Sequence, residues 1–184
     1  MKAVILVGGE GKRMGGVIKA LLKKEGKTVL EYIINSLNKY EINEIILIAN
    51  GKKEFDKFGY KTVNNFTELK KIIKEDFLLL VGDTITDINF NELIEFHNKD
   101  HKHMTVVTQD YQIPYGVIEN EKWFEKPIKE IAIGIFVCKP DNLTDDFSIF
   151  INSIKEFKTY KFNGNFIHLT KLEDIKNGKN QNFN

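Results

Sequence analysis

The sequence predicts a three-layer α/β/α domain around a mostly parallel sheet. Short apolar runs typical of buried strands recur along it, at 2–7, 44–49, 77–81 and 131–137. Segments with helical spacing of apolar residues lie between them. Several runs stop at glycine or Asn-Gly, as strands do where the chain turns back.

Taken in order, residues 2–7 (KAVILV) form a first buried strand that runs into a glycine-rich loop at 8–16. Residues 28–40 place Leu30, Ile33, Ile34 and Leu37 on one helical face, and Thr28 with Glu31 forms a capping box. A second strand, 44–49 (EIILIA), stops at Asn50-Gly51, and a weaker one covers 60–63. A helix over 67–74 has Leu69, Ile72 and Ile73 as its apolar face. The run FLLLV, 77–81, then ends at Gly82-Asp83. A helix at 89–99 and a strand at 104–108 follow. Next come two short strands, 115–119 and 122–125, flanking Asn120-Glu121 as a hairpin. Residues 131–137 are the last strong strand and 147–157 the last long helix. No repeat, low-complexity tract or linker divides the chain. It reads as one domain over 1–176 with a frayed polar tail at 177–184.

With 184 residues, 42% hydrophobic and 29% charged, the chain has the composition of a soluble globular protein. Its net charge of +1 provides no global field toward nucleic acid or a membrane surface. The apolar runs are too short to span a bilayer, and 3–7 is too short for a signal-peptide core. One cysteine, Cys138, excludes an intrachain disulfide, and with only four histidines it excludes a Cys-rich zinc module. In its apolar strand Cys138 reads as a small core residue, and the cytoplasm is the expected address.

Of 27 basic residues only one, Arg13, is arginine, and it stands in the glycine loop. A guanidinium matches phosphate oxygens with two parallel donors, which an ammonium does not. The loop, Gly8-Gly9-Glu10-Gly11-Lys12-Arg13-Met14-Gly15-Gly16, leaves the carboxyl end of the first strand, where open parallel sheets bind ligands. Its glycines let backbone N–H groups approach an anion, and Lys12, Arg13 and Lys19 can neutralise it. A Walker A loop is excluded because Arg13 follows Lys12. A dinucleotide fingerprint is excluded because Met14 stands at its third glycine position.

The opening KAVILVGGEGKRMGGVIKALL resembles that of nucleotidyltransferases that join a nucleoside triphosphate to a phosphorylated acceptor. Their signature, Gly-Gly-x-Gly-x-Arg with a later lysine, falls here on Gly8, Gly9, Gly11, Arg13 and Lys19. The family usually has Thr where this chain has Lys12, and Pro where it has Ile18. The resemblance implies a Rossmann-like three-layer domain with a mixed, mostly parallel sheet, of the nucleotide-diphospho-sugar transferase type. It further implies that Gly8, Gly9, Gly11 and Lys12 bind the nucleotide, while Arg13 and Lys19 serve catalysis at its phosphates. Asp83, in Gly-Asp after the third strong strand, matches the family's metal aspartate and would hold Mg²⁺ between phosphate oxygens. Without the glycine loop, Asp83 would read as a cap of the following segment. Asp87 reads as a loop or cap residue.

For the acceptor, Tyr115-Gly116 and Glu125-Lys126-Pro127 resemble the Tyr-Gly and Glu-Lys-Pro motifs of sugar-1-phosphate nucleotidyltransferases. A glutamate accepts hydrogen bonds from sugar hydroxyls, and a lysine binds the phosphate. IAIGIFVCKP resembles the family's Asn-Ala-Gly-Ile strand, which puts Gly134 at the substrate but Ala132 at the sugar-binding Asn. FIHLTKLEDI resembles the late segment that supplies a second metal Asp, here His168, and imidazole is a poor Mg²⁺ ligand. The stretch from Val63 to Leu69 is similar to the Asn-Asn-x-x-Ser-Leu stretch of small cytidylyltransferases. Asn64 and Asn65 there either read the nucleotide or form a loop ahead of a Thr67 cap.

The expected partners are thus a nucleoside triphosphate and a small phosphorylated acceptor, with neither nucleic acid nor membrane. The spelling RMGG-x-x-K also resembles the guanylyltransferases of molybdenum cofactor and adenosylcobinamide phosphate. His168 and Ala132 keep a non-catalytic nucleotide-binding relative as a further reading. Neither base, acceptor, pathway nor oligomeric state is legible.

Overall fold

The computed structural model describes residues 1–100, 104–144 and 146–169, so the tail at 177–184 lies outside the described residues. Strand β1 (Lys2–Leu6) leads through the glycine loop and a small ribbon, β2 (Lys23–Lys24) and β3 (Lys27–Thr28), into helix α1 (Val29–Lys39). Then come β4 (Ile45–Ile48), β5 (Lys61–Val63), α2 (Phe66–Lys70), β6 (Phe77–Val81), β7 (Thr84–Thr86) and α3 (Phe90–Asn98). The second half supplies β8 (Met104–Gln112), the hairpin β9 (Val117–Glu119) and β10 (Lys122–Phe124), and the long β11 (Ile128–Cys138). It closes with α4 (Phe147–Ser153), β12 (Lys158–Lys161) and β13 (Phe166–His168).

Seven strands form the main sheet in the order β12-β8-β11-β6-β1-β4-β5. Only β11 runs against its neighbours, so the sheet is mixed and mostly parallel, as expected. Strand β1 is central, with β4 on one side and β6 on the other. Connections leaving it in opposite directions open a crevice at the carboxyl ends of β1 and β6.

Strand alternation divides the core into two layers. Ala3, Ile5, Leu47, Leu78 and Leu80 face α1 and α3, meeting Leu30, Ile33, Leu37, Phe90 and Leu93. Val4, Ile46, Ile48 and Leu79 face the other way, onto Phe66, Leu69 and Phe150 of α2 and α4. Cys138 is fully buried in this second layer, where burial raises its thiol pKa above the usual value. It is a core residue, as its apolar strand suggested. The capping box forms too: Glu31 N–H donates to Thr28 Oγ1 at 3.2 Å, and Thr28 N–H to Glu31 Oε2 at 2.6 Å. Among the described residues no helix is long and apolar enough to cross a membrane.

Several boundaries differ from the expectation. Helix α2 starts at Phe66, because Asn65 rather than Thr67 is its N-cap and accepts from Glu68 N–H. It ends at Lys70, and α4 ends at Ser153. Strand β8 runs on to Gln112, pairing with β11 beyond the core. Strands β7, β12 and β13 had no counterpart in the sequence reading.

One buried polar cluster ties α3 to the sheet. His97, only 2% exposed, shares hydrogen bonds with Thr105 Oγ1 at 2.8 Å and Asp76 Oδ2 at 3.2 Å. Burial lowers its pKa, against the opposing pull of Asp76, and the nearby Lys158 and Lys139 lower it further. The native state therefore binds this proton more weakly than the unfolded chain does. Stability from His97 is complete above an unfolded pKa of about 6.5 and declines as pH falls below it toward the lower native value. Urea midpoints between pH 7.5 and 5.5 are expected to fall in the wild type and to fall less in His97→Gln. Equal pH slopes in the two proteins would show that His97 is not the group responsible.

Candidate active site

A cavity of about 580 Å³ opens at the carboxyl ends of β1 and β6. Gly9, Gly11, Lys19, Gly82, Asp83 and His168 are among the residues around it. The loop after β1 supplies one wall. Gly8 N–H is anchored on the Ile48 carbonyl at 2.8 Å, so the loop leaves the sheet in register with β4. Gly11 sits at φ +60°, and a Cβ there would overlap the Val17 carbonyl oxygen. Only glycine fits that fold-back, which turns the chain into the short helical turn Lys12–Met14. Among the described residues, the N–H groups of Gly9, Glu10, Gly11 and Lys12 donate to no protein acceptor. A row of unpaired N–H groups beside a cavity is suited to an anion.

The facing wall comes from the end of β6. Lys19 Nζ, 64 residues earlier in the chain, donates to Asp83 Oδ2 at 2.8 Å. The two side chains are 24% and 19% exposed, so solvent screens this pair less than a surface ion pair. Asp83 Oδ1 is buried and has no hydrogen-bond partner. Among the described residues no backbone N–H donates to the Asp83 carboxylate, so it is not a helix or turn cap. Asp83 lines the cavity with one carboxylate oxygen paired to Lys19 and the other, buried, left without a hydrogen-bond partner.

His168 reaches the same place through backbone pairing. Strand β13 runs antiparallel to β7, with His168 opposite Thr84. Its Nδ1 shares a 3.0 Å hydrogen bond with Thr84 Oγ1 and stands 3.5 Å from Asp83 Oδ1. Thr84, which holds the ring, was not singled out in the sequence. Lys52 was also missed: its ammonium donates to the Gly9 carbonyl at 2.6 Å and adds positive charge behind the loop.

Lys12 lines the cavity together with Glu10, and its exposed ammonium pairs with that carboxylate at 2.7 Å, which spends part of its charge. The backbone of Arg13 is in the loop, but its side chain lies outside the described residues. Asn65 caps α2, and Asn64 holds Glu68 through its Nδ2 and backbone N–H, both at 2.8 Å. Their polar groups serve the start of the helix, and neither residue lines the cavity. Asp87 receives Asn165 N–H and Nδ2, each at 2.8 Å, in a loop role.

The acceptor motifs are carried on the β9–β10 hairpin and outside the cavity lining. Tyr115 is exposed, Gly116 lies under the Trp123 ring, and Glu125 accepts from Trp123 Nε1 at 3.3 Å. Lys126 turns at φ +44° after the hairpin. Gly134 lies at an irregularity of β11, where its pairing with β8 shifts between Ala132 and Phe136. It has φ +80° and packs directly on Val81 at the cavity edge.

The site is thus a crevice at the switch point of a mixed α/β sheet, with a glycine loop and a Lys–Asp pair facing it. Residues 3–74 match the MobA-like NTP transferase domain. It is 27% identical to a mannose-1-phosphate guanyltransferase of Yarrowia lipolytica, over 76% of this chain and 50% of that protein. It is 31% identical to a probable molybdenum cofactor guanylyltransferase of Clostridium perfringens, over 60% of this chain and 56% of that one. The chain thus spans about half the length of these relatives. Its fold is shared by the crystal structure of HddC from Yersinia pseudotuberculosis complexed with GMP-PN, with a TM-score of 0.75 at 19% identity over 96% of both chains.

Proposed function

We propose that this protein transfers a nucleotidyl group from a nucleoside triphosphate to a sugar 1-phosphate or similar small phosphate ester, releasing pyrophosphate. The observation that carries this reading is the meeting of Lys19 and Asp83 opposite the unpaired N–H groups of the glycine loop. Such a site holds a polyanion with donors on one side and a cation-binding carboxylate on the other. An acceptor phosphate oxygen attacks the α-phosphorus in line. The bond from that phosphorus to the oxygen bridging to the β-phosphate breaks, and pyrophosphate leaves with the electron pair. No covalent enzyme intermediate is needed, so the protein's work is positioning and charge neutralisation. The loop N–H groups, Arg13 and Lys19 hold phosphate oxygens. Glu125 and Lys126 seat the acceptor once the hairpin and the cavity are bridged, by movement or by the length of the acceptor.

Mg²⁺ fits the residues present. Among the described residues no cluster of three or more His, Cys, Asp or Glu forms a metal cage, and Asp83 offers one unused buried oxygen. One carboxylate, substrate phosphates and water are the usual set around this ion. When bound, it would neutralise charge on the triphosphate, with Asp83 as its protein ligand.

The test is pyrophosphate release from a panel of nucleoside triphosphates with mixed sugar 1-phosphates. Turnover with any pair is expected, and silence from folded protein throughout would sink the proposal. A second reading, guanylylation of a bulky cofactor phosphate, is favoured by RMGG-x-x-K and by the match over 3–74. Strict preference for GTP together with rejection of every sugar phosphate would select it. Tight nucleotide binding without turnover on either acceptor class would indicate a non-catalytic relative.

Arg13→Lys keeps the charge but removes the guanidinium fork. We expect turnover to fall at least ten-fold, about 1.4 kcal/mol of transition-state stabilisation. Wild-type steady-state kinetics in this variant would show that the fork is not used.

A further inference from the structure

Resting on the reading above that the glycine loop holds phosphate oxygens, we propose that Lys52 is a positioning residue for that loop. It pins the Gly9–Glu10 peptide so that Glu10 N–H is presented to the bound anion. The carbonyl and the N–H of a trans peptide point in opposite directions. Lys52 Nζ donates to the Gly9 carbonyl at 2.6 Å, so the N–H across that peptide is turned away from Lys52. Among the described residues that N–H has no protein acceptor. Gly9 and Glu10 line the cavity, and Lys52 does not. The peptide thus stands between the ammonium and the cavity.

The hold is built into the fold. The chain leaves β4 through Asn50 at φ +50° and Gly51 at φ +74°, and Lys52 N–H returns to the Ala49 carbonyl at 3.1 Å. This is the pattern of a type I′ turn, for which Asn-Gly is a preferred pair. The turn is seated on the glycine loop itself, because a Cβ on Gly8 would come within 2.7 Å of Asn50 Cβ. Lys52 is therefore delivered beside Gly9 by a tight, packed turn. Gly9 has need of such a hold. A Cβ added there would meet nothing within 4 Å, and glycine itself resists rotation of the next peptide least of all residues. Turned over, that peptide would offer its carbonyl oxygen to a polyanion. The charged side chains on the loop next to it, Glu10 and Lys12, are paired with each other at 2.7 Å.

The probe is inorganic pyrophosphate, titrated into the full chain with and without Mg²⁺ and followed by calorimetry and by backbone amide NMR. In the wild type the Glu10 amide proton is expected to move downfield as pyrophosphate binds. Lys52→Met should melt close to the wild type, because the contact it removes is exposed. It should bind pyrophosphate about ten-fold more weakly, the effect of one hydrogen bond to a charged group, and leave the Glu10 amide nearly unmoved. Lys52→Arg, which can still donate to the carbonyl, should recover most of both signals. Raising salt from about 0.05 to about 0.5 M shortens the Debye length roughly three-fold. Both proteins should then bind more weakly while their ratio persists. A ratio that vanishes in high salt would show that Lys52 acts through its charge alone and would overturn the proposal. So would equal affinities at low salt, or a Glu10 shift that survives in Lys52→Met. If the wild type binds pyrophosphate while the Glu10 amide stays still, the Lys52 assignment fails and the phosphate reading of the site stands. No binding by the wild type under either condition would bring down both.

Discussion

Asp83→Asn is expected to lower turnover by about two to three orders of magnitude, the range for removing one preorganised electrostatic group from a phosphoryl- or acyl-transfer site. The substitution preserves shape and removes the charge that faces both Lys19 and the cavity. It leaves Lys19 without its anion in a site that solvent only partly reaches, so a modest loss of stability accompanies it. The two effects are separable. If the pair is only a structural bridge, Asp83→Asn and Lys19→Met will each lower the melting temperature and leave kcat near wild type. If the pair works on the triphosphate, both variants will lose kcat, and the double variant will lose less than the product of the two. Double-mutant kinetics on folded protein, with pyrophosphate release as the readout, decide between these outcomes.

The second large effect concerns the sheet next to the cavity. Gly134→Ala should cost about 2–4 kcal/mol, combining the strain of a non-glycine residue at positive φ with overpacking of a filled site. The residue holds φ +80°, and an added Cβ would collide with a Val81 methyl. In a chain of this length that corresponds to a drop of several degrees in melting temperature. Adding Val81→Ala should recover the part due to the collision and leave the part due to backbone strain. A role for Gly134 in admitting substrate would show differently, as a raised KM for the acceptor at unchanged melting temperature.

The elements that the sequence made plain were those with one dominant physical signal. The buried strands β1, β4 and β6 are unbroken apolar runs, because layers on both faces exclude polar side chains. Helix α1 carries its apolar stripe and its capping box within a dozen residues. Strand β12, KTYK, carries no such signal, because it is an edge strand paired only with β8 and half of its residues face solvent. Strands β7 and β13 are three residues each and exist through pairing with one another across about eighty positions of chain. Asn64 and Asn65 show the opposite failure. Their amides looked available for a ligand, while a local partner, Glu68, already engaged both.

For the site the division is similar. The glycine loop, Lys19 and Asp83 were legible from the sequence alone, because a strand end, a glycine requirement and a charge are local properties of the chain. So were the α/β layering and the expectation that the cavity would open at the carboxyl edge of the sheet. Only the tertiary structure decided which groups meet. It paired Lys19 with one oxygen of Asp83, left the other unpartnered, set His168 beside it, and kept Tyr115, Glu125 and Lys126 outside the cavity lining. Distances between side chains far apart in sequence depend on strand register and on the order of strands in the sheet. Those arise from packing the whole core, and no local pattern of residues encodes them.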